Sequence, residues 1–217
     1  MIRIAPDVKG KIVLAFFTVN NTQCQTKNEP LWEALTELAE NYRRRFGSPA
    51  EANPFLQPAR RLYRSIGLEP TKYRPSSEAL LRRALQGKPF YQINSIVDCG
   101  NYCSLSYLLP IGLYDRDKIQ GTINARMGKP GETYEGIGKG VKHAEGKLVL
   151  ADELGPFGNP SADSQRTMVT LETTHILWVI FAPANYPRHE LEEHLEFSVT
   201  TFLEYHPGTV GDRGIIE

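Results

Sequence analysis

The chain has 217 residues, 41% of them hydrophobic, and its 25 basic and 25 acidic side chains cancel. That is enough to bury a proper core as one domain, while no apolar run reaches membrane-spanning length and the opening MIRIAPDVKGK has no signal-peptide architecture. Three cysteines, with Cys99 and Cys103 one helical turn apart, argue against a disulfide frame and for reduced thiols in a cytoplasmic protein.

In chain order, Lys11 to Asn20 (KIVLAFFTVN) reads as a buried strand, being continuously apolar and rich in β-branched and aromatic residues. Asn28 and Pro30 open a helix through Phe46, with Leu31, Leu35, Leu38, Tyr42 and Phe46 on one face; Gly47 and Pro49 stop it. Asn53-Pro54 starts a second helix, with Phe55, Ala59, Leu62 and Ile66 inward and Gly67 closing it. Ser76 or Ser77 caps a third, whose first turn holds Glu78 and whose last holds Arg82 and Arg83, charges that suit the helix dipole. From Asn41 to Lys88 eleven basic residues face only Glu51, Glu69 and Glu78, a net of +8, so the remainder carries −8. Such asymmetry fits one side of a phosphate-binding surface, although solvated helix faces give the same pattern.

Ile93 to Gly121 is the most informative stretch. Its first half reads as a helix on Ile93, Ile96, Val97, Cys103, Leu105 and Leu108, ending by the Leu-Pro step at Pro110. Asn94, Asp98 and Asn101 fall at i, i+4 and i+7, on one stripe of that helix. Unpaired polar groups cost several kcal/mol or so to bury, so the stripe either faces a wet pocket or caps neighbouring loops. Gly112 loosens the backbone ahead of Tyr114 and Asp115, forming a turn beside the polar face. Beyond it, Lys118 to Arg126 and Lys147 to Asp152 read as strands with GKPGETYEGIGKG as the connection, followed by strands over Thr167 to Thr173 and His175 to Ala182. Pro187 to Tyr205 is an amphipathic helix with Leu191, Leu195, Val199, Phe202 and Leu203 inward; the tail past Pro207-Gly208 reads as frayed. The plan is α+β, a central mixed or antiparallel sheet with flanking helices in a single domain.

Several chemistries drop out. Gly138-Lys139 lacks the first glycine and the following Ser or Thr of a phosphate loop. His189 and His194 lie about 140° apart on a helix and cannot share a metal as an i, i+4 pair does, so no metal or other cofactor is expected. Cys99 and Cys103 read as core, and no GxSxG elbow exists. One loop remains, Gly155 to Thr167, in which Asp163, Ser164 and Arg166 supply an acceptor, a hydroxyl and a cation. It reads either as a ligand loop or as a polar turn with Arg166 paired to Asp163.

The run Ile93-Asn94-Ser95, Val97-Asp98, Asn101-Tyr102, Pro110, Asp115, Asp117-Lys118 and Gly121 resembles the B3/B4 editing module of the phenylalanyl-tRNA synthetase β subunit. Arg126, Gly131-Glu132 and Leu148-Val149-Leu150-Ala151-Asp152 keep step, so the resemblance spans roughly residues 60 to 183. Residues 1–59 and 187–206 are then additions to it. The resemblance implies hydrolysis of the ester between a wrong amino acid and the terminal adenosine of tRNA, by a positioned water, in a free-standing member acting on mischarged tRNA. It implies that Asn101 belongs to the editing pocket, and the polar stripe adds Asp98 to it as the expected catalytic pair. Asn94, Gly100, Gly112, Asp115, Asp163, Ser164 and Arg166 would line the substrate site, and Arg60, Arg61, Arg64, Lys72 and Arg74 would hold the acceptor stem. Departures from the family fall on Gly112 (a histidine there), Gly100 (a threonine) and near Val179 (a glutamate). Two side chains reduced to hydrogen are expected to enlarge the site. The contrasting expectation is a binding module for tRNA or an aminoacyl ligand that has lost the chemistry; a small-molecule enzyme or sensor on the same fold is a third.

Overall fold

A computed structural model describes every residue except Pro49 and Lys139, so the expected helix stop at Pro49 and the Lys139 half of the rejected phosphate loop lie outside the described residues. The elements are β1 (Ile2–Ile4), β2 (Ile12–Asn20), α1 (Glu29–Arg45), α2 (Gln57–Ser65), α3 (Ser76–Leu85), α4 (Ser95–Tyr107), β3 (Ile111–Asp115) and β4 (Ile123–Met127). There follow β5 (Thr133–Gly136), β6 (Gly140–His143), β7 (Leu148–Asp152), β8 (Gly155–Asn159), β9 (Ala162–Asp163), β10 (Ile176–Pro183), α5 (Arg188–Tyr205) and β11 (Thr209–Ile216). This is the α+β plan, with its strands divided between a mixed five-stranded sheet, β1-β4-β7-β8-β9, and an antiparallel four-stranded sheet, β11-β2-β10-β3. The β5-β6 hairpin stands apart.

Alternation along β10 explains how the layers stack. Ile176, Trp178, Ile180 and Ala182 join Phe17 and Phe202 in one apolar cluster, which takes in α4 and α5. Leu177, Val179 and Phe181 point the other way, into a cluster with Tyr63 of α2, Tyr114 of the neighbouring β3, and Leu150 and Phe157 of the five-stranded sheet. A strand buried on both faces must be apolar throughout, as β10 is. Each of its large side chains contributes roughly 1.5–3 kcal/mol of burial.

The helix ends follow local chemistry. Asn28 caps α1, accepting from the Leu31 N–H at 3.2 Å, and its amide donates to the Tyr205 carbonyl at 2.9 Å, tying α1 to α5. For α3 the N-cap is Pro75, so Ser76 and Ser77 are its first helical residues rather than its caps. Buried Glu78 instead gathers Arg60 (two contacts of 2.8 Å) and Arg82 (2.9 Å), with Arg74 at 4.0 Å.

Other expectations fail too, among them an inward Phe55: it lies in a 3-10 turn ahead of α2 and is 44% exposed. Gly112 lies inside β3 and not in a turn, because β3 pairs with β10 along its whole length. Residues 167–173 carry no strand; a 3-10 turn at Gln165–Thr167 leads to β10 through irregular chain. The tail is not frayed: β11 pairs with β2 from Thr209 to Ile216, hydrogen bonding across an edge that would otherwise be open. Leu203 is 44% exposed and faces away from the core.

Candidate functional site

The predicted stripe on α4 divides at the first turn. Asn94 is the N-cap, accepting from the Val97 N–H at 2.9 Å, with its amide reaching the Val169 carbonyl at 3.5 Å. Asp98, one turn in, accepts from the Ile93 N–H at 3.2 Å. Both side chains are buried and serve the free backbone donors of a helix start. Burial pushes the Asp98 carboxyl up to about 6, against the lowering effect of that Ile93 N–H. These two residues expected in the site, Asp98 as catalyst and Asn94 as ligand, are thus held as helix caps outside the cavity lining.

The face of α4 that does look into a cavity is the neighbouring one: Ile93, Val97, Gly100, Asn101 and Ser104. The cavity measures ≈290 Å³ and is completed by Ser76 and Leu80 of α3, Ile111 and Leu113 of β3, Ile137 at the tip of the β5-β6 hairpin, and Asp163, Met168 and Val169. Its walls are mostly apolar, and its size is at the low end of the ~300–1,000 Å³ typical of small-molecule sites. Ser104 is engaged, donating to the Leu109 carbonyl at 2.7 Å. Asn101 sits in the helix interior, where its own turn offers no free backbone partner, and its carboxamide stands among greasy walls.

A second hollow of ≈190 Å³ adjoins the first. The two share Ser76, Ile111, Ile137 and Asp163, and the second adds Lys142, Asn159, Pro160, Ser161 and Ala162. This half is polar. Its loop is braced from α2, where the Tyr63 hydroxyl donates to the Pro160 carbonyl at 2.7 Å and receives the Ser161 hydroxyl at 3.0 Å.

Asp163 lies where the hollows meet. Its Oδ1 is sealed from solvent without a well-formed hydrogen bond, as is the adjacent hydroxyl of Tyr114. Among the described residues no cation offsets it, and desolvation pushes its carboxyl up to about 7, with the Tyr114 hydroxyl pulling weakly the other way. Burial and the Asp163 charge together raise Tyr114 as well.

The other loop residues are committed elsewhere. Arg166 does not pair with Asp163; it forks onto Asp152 at 2.9 and 3.0 Å and donates to the Lys118 carbonyl at 2.8 Å. Ser164 accepts from the Arg166 N–H at 3.1 Å, an ordinary turn cap. Asp115 accepts from the Asp117 N–H at 3.2 Å and from the Thr173 hydroxyl at 2.9 Å, with the Lys118 ammonium 3.2 Å away. None of the three lines either hollow.

The glycines do not enlarge the site as expected. A Cβ on Gly100 would strike Leu113, and one on Gly112 would overlap the Tyr114 hydroxyl. Neighbouring side chains have moved into the space that larger residues would need. Val179, near which the resemblance places a glutamate, is wholly buried within β10. Of the basic residues, Arg60 is held by Glu78, while Arg61, Arg64, Lys72 and Arg74 are exposed. Ser76, Leu80, Ile137, Met168 and Val169 were missed as lining residues, since apolar or small side chains carry no chemical signal in sequence. Among the described residues there is no cluster of metal-ligating groups and no helix long and apolar enough to cross a membrane. Cys24, Cys99 and Cys103 are buried thiols.

Residues 58–191, more than half of the chain, match the family described as the B3/4 domain. The chain belongs to that family. Relatives of this B3/4 domain protein include the phenylalanine–tRNA ligase beta subunit of Neisseria meningitidis serogroup B, 33% identical over 109 residues, which cover 50% of this chain and 13% of that subunit. The corresponding subunit of Streptomyces avermitilis is 33% identical over 117 residues, 52% of this chain and 13% of the subunit. An N-terminal fragment of the phenylalanyl-tRNA synthetase beta subunit from Pyrococcus horikoshii shares the fold, with a TM-score of 0.50 and 14% identity across 97% of this chain and 50% of that one. The B3/4 chain thus spans about an eighth of the length of the curated subunits it matches.

Proposed function

We propose that this protein hydrolyses the ester that joins a non-cognate amino acid to tRNA. The reading is supported above all by the paired hollows: an apolar chamber with the Asn101 carboxamide in its wall opens directly onto a polar one containing Lys142, Asn159 and Ser161. An aminoacyl ester has the same two-part character, with a side chain to one side of the carbonyl and a ribose phosphate to the other. In this assignment the amino acid enters the chamber, and Lys142 meets the phosphate of the terminal nucleotide. Water attacks the ester carbonyl, the bond to the ribose oxygen breaks, and the proton of water ends on that oxygen. Asn101 donates to the carbonyl oxygen as negative charge builds on it. The exposed Arg61, Arg64, Lys72 and Arg74 contribute the electrostatic hold on the acceptor stem, so binding weakens steeply with salt.

The test is a panel of mischarged tRNAs. Asn101→Ala is expected to slow deacylation about 10²-fold, the usual loss for one such donor, with an unchanged melting curve. Equal rates would remove Asn101 from the mechanism. A binding module without chemistry is favoured by one specific observation: the positions of the family histidine and glutamate are filled by Gly112 packed on Tyr114 and by sealed Val179. On that reading the protein retains mischarged tRNA with no deacylation above the uncatalysed rate.

A further inference from the structure

Asp163 is the one carboxylate among the residues lining either hollow. Its Oδ1 is sealed without a well-formed hydrogen bond, whereas three other acidic groups of the fold have partners. Glu78 has its arginines, Asp152 has Arg166, and Asp115 has Thr173 and Lys118. Asp163 is part-buried, with Oδ1 turned to the Tyr114 hydroxyl and no cation beside it among the described residues, and the chamber walls formed by Leu80, Val97, Ile111, Leu113, Met168 and Val169 offer no side-chain donor. What such a group lacks is a cation brought from outside. Two features of the fold fix its placement. The main chain of Asp163 is pinned, its carbonyl accepting from the Ile137 N–H at 3.1 Å, and Gly158 leaves room behind it, since a Cβ there would crowd both the Asp163 carboxyl and the Tyr114 hydroxyl.

Building on the proposed ester hydrolysis, we infer that Asp163 binds the α-ammonium group of the aminoacyl moiety, and that the chamber beyond it selects an uncharged, apolar amino-acid side chain. The position suits this role. In an aminoacyl ester the α-carbon bears the ammonium, the side chain and the carbonyl. A carboxylate at the junction of an apolar and a polar hollow can hold the first while the second enters the chamber and the third faces the polar side. One carboxylate serves one cation. A substrate with a second positive charge on its side chain would place that charge against aliphatic walls. Asp163 is in this scheme a binding and specificity residue that touches the substrate, and the water chemistry belongs elsewhere in the site.

The experiment uses the whole chain and three probes that have no ester to cleave: leucinamide, N-acetyl-leucinamide and lysinamide, titrated by NMR or calorimetry. Leucinamide is expected to bind at least tenfold more tightly than N-acetyl-leucinamide, which lacks the charge, and than lysinamide, which has one too many. Asp163→Asn is expected to abolish the preference for leucinamide over its acetylated form while melting no lower than the parent. The comparison of the two leucine probes needs no variant, so a misfolded substitution leaves the test intact. Equal binding of the acetylated and free forms overturns the ammonium assignment, as does failure of all three to bind. Tighter binding of lysinamide overturns the side-chain selection. Charge-dependent binding of leucinamide without hydrolysis of any mischarged tRNA would sink the proposed activity and leave this inference standing. Hydrolysis of N-acetyl-aminoacyl-tRNA as fast as of the free form would do the reverse.

Discussion

Asp152 and Asp163 belong to one sheet, on strands separated only by β8, yet they meet opposite fates. Asp152 ends β7 with its side chain fully buried, and burial alone would raise its pKa. The forked Arg166, together with the Gln120 and Leu154 N–H groups at 2.9 and 3.0 Å, more than reverses that and holds the carboxyl below its ordinary value. Asp163 in β9 is also desolvated, but with only the Tyr114 hydroxyl beside it, so its carboxyl rises to about 7. The carboxylate whose partners come from its own chain is structural, and the one whose partner is missing borders a cavity. Burial is common to both; satisfaction separates them.

The largest expected effect breaks the satisfied side. Asp152→Ala strands Arg166 and two backbone donors, at a cost of about 3 kcal/mol, the low end for a broken buried pair because the guanidinium is part-exposed. Urea denaturation reads this directly, and a loss under about 1 kcal/mol would mean that the pair does not carry the difference. A smaller effect concerns pH: the undamped proton linkage of Asp163 is worth about 4 kcal/mol, and its part-exposed setting cuts that to about 2. With Asp163 at about 7 when folded and ~3.9 when unfolded, the folded state keeps a proton that the unfolded chain has released. Its contribution to stability is therefore complete below about pH 4 and declines as pH rises toward 7. Asp163→Asn is expected to flatten that decline, leaving the weaker one from Asp98, which ends near pH 6. Identical pH slopes for parent and variant would place the proton elsewhere. The smallest effect tests the capping assignment on α4: Asn94→Ala is expected to cost about 1 kcal/mol and to leave leucinamide binding within twofold. Loss of binding at constant stability would return Asn94 to the site.

Much of the fold was readable because its signals are local. Asn28 and Pro30 announce α1, the apolar run of β10 announces a strand sealed on both faces, and Pro110 ends α4 in time. What escaped depends on distant partners. Three residues of β1 become a strand only by lying parallel to β4, over a hundred residues away, and β11 is ordered by the free edge of β2. In the site, Asn101, Gly100 and Asp163 were identified and do come together. Asn94 and Asp98 misled because a polar stripe in the first turn of a helix has two uses, and spacing alone does not tell a ligand wall from a cap. Arg166 had two acids within reach of its loop, Asp152 and Asp163. Which one it takes is decided by the register of β7, β8 and β9, information that no window of sequence contains.

The crowding of Tyr114 by Gly112 and Gly158 also constrains how this protein could change over generations. A histidine, or any side chain, introduced at 112 would run into the phenol ring, and trimming the hydroxyl alone would not clear it because two ring carbons also stand within 2.8 Å of a Cβ there. Residue 114 must shrink first, and doing so empties part of the core around Phe157 before any benefit arrives. An exchange at 112 is therefore tied to a prior exchange at 114, through an intermediate with a cavity beside Phe157.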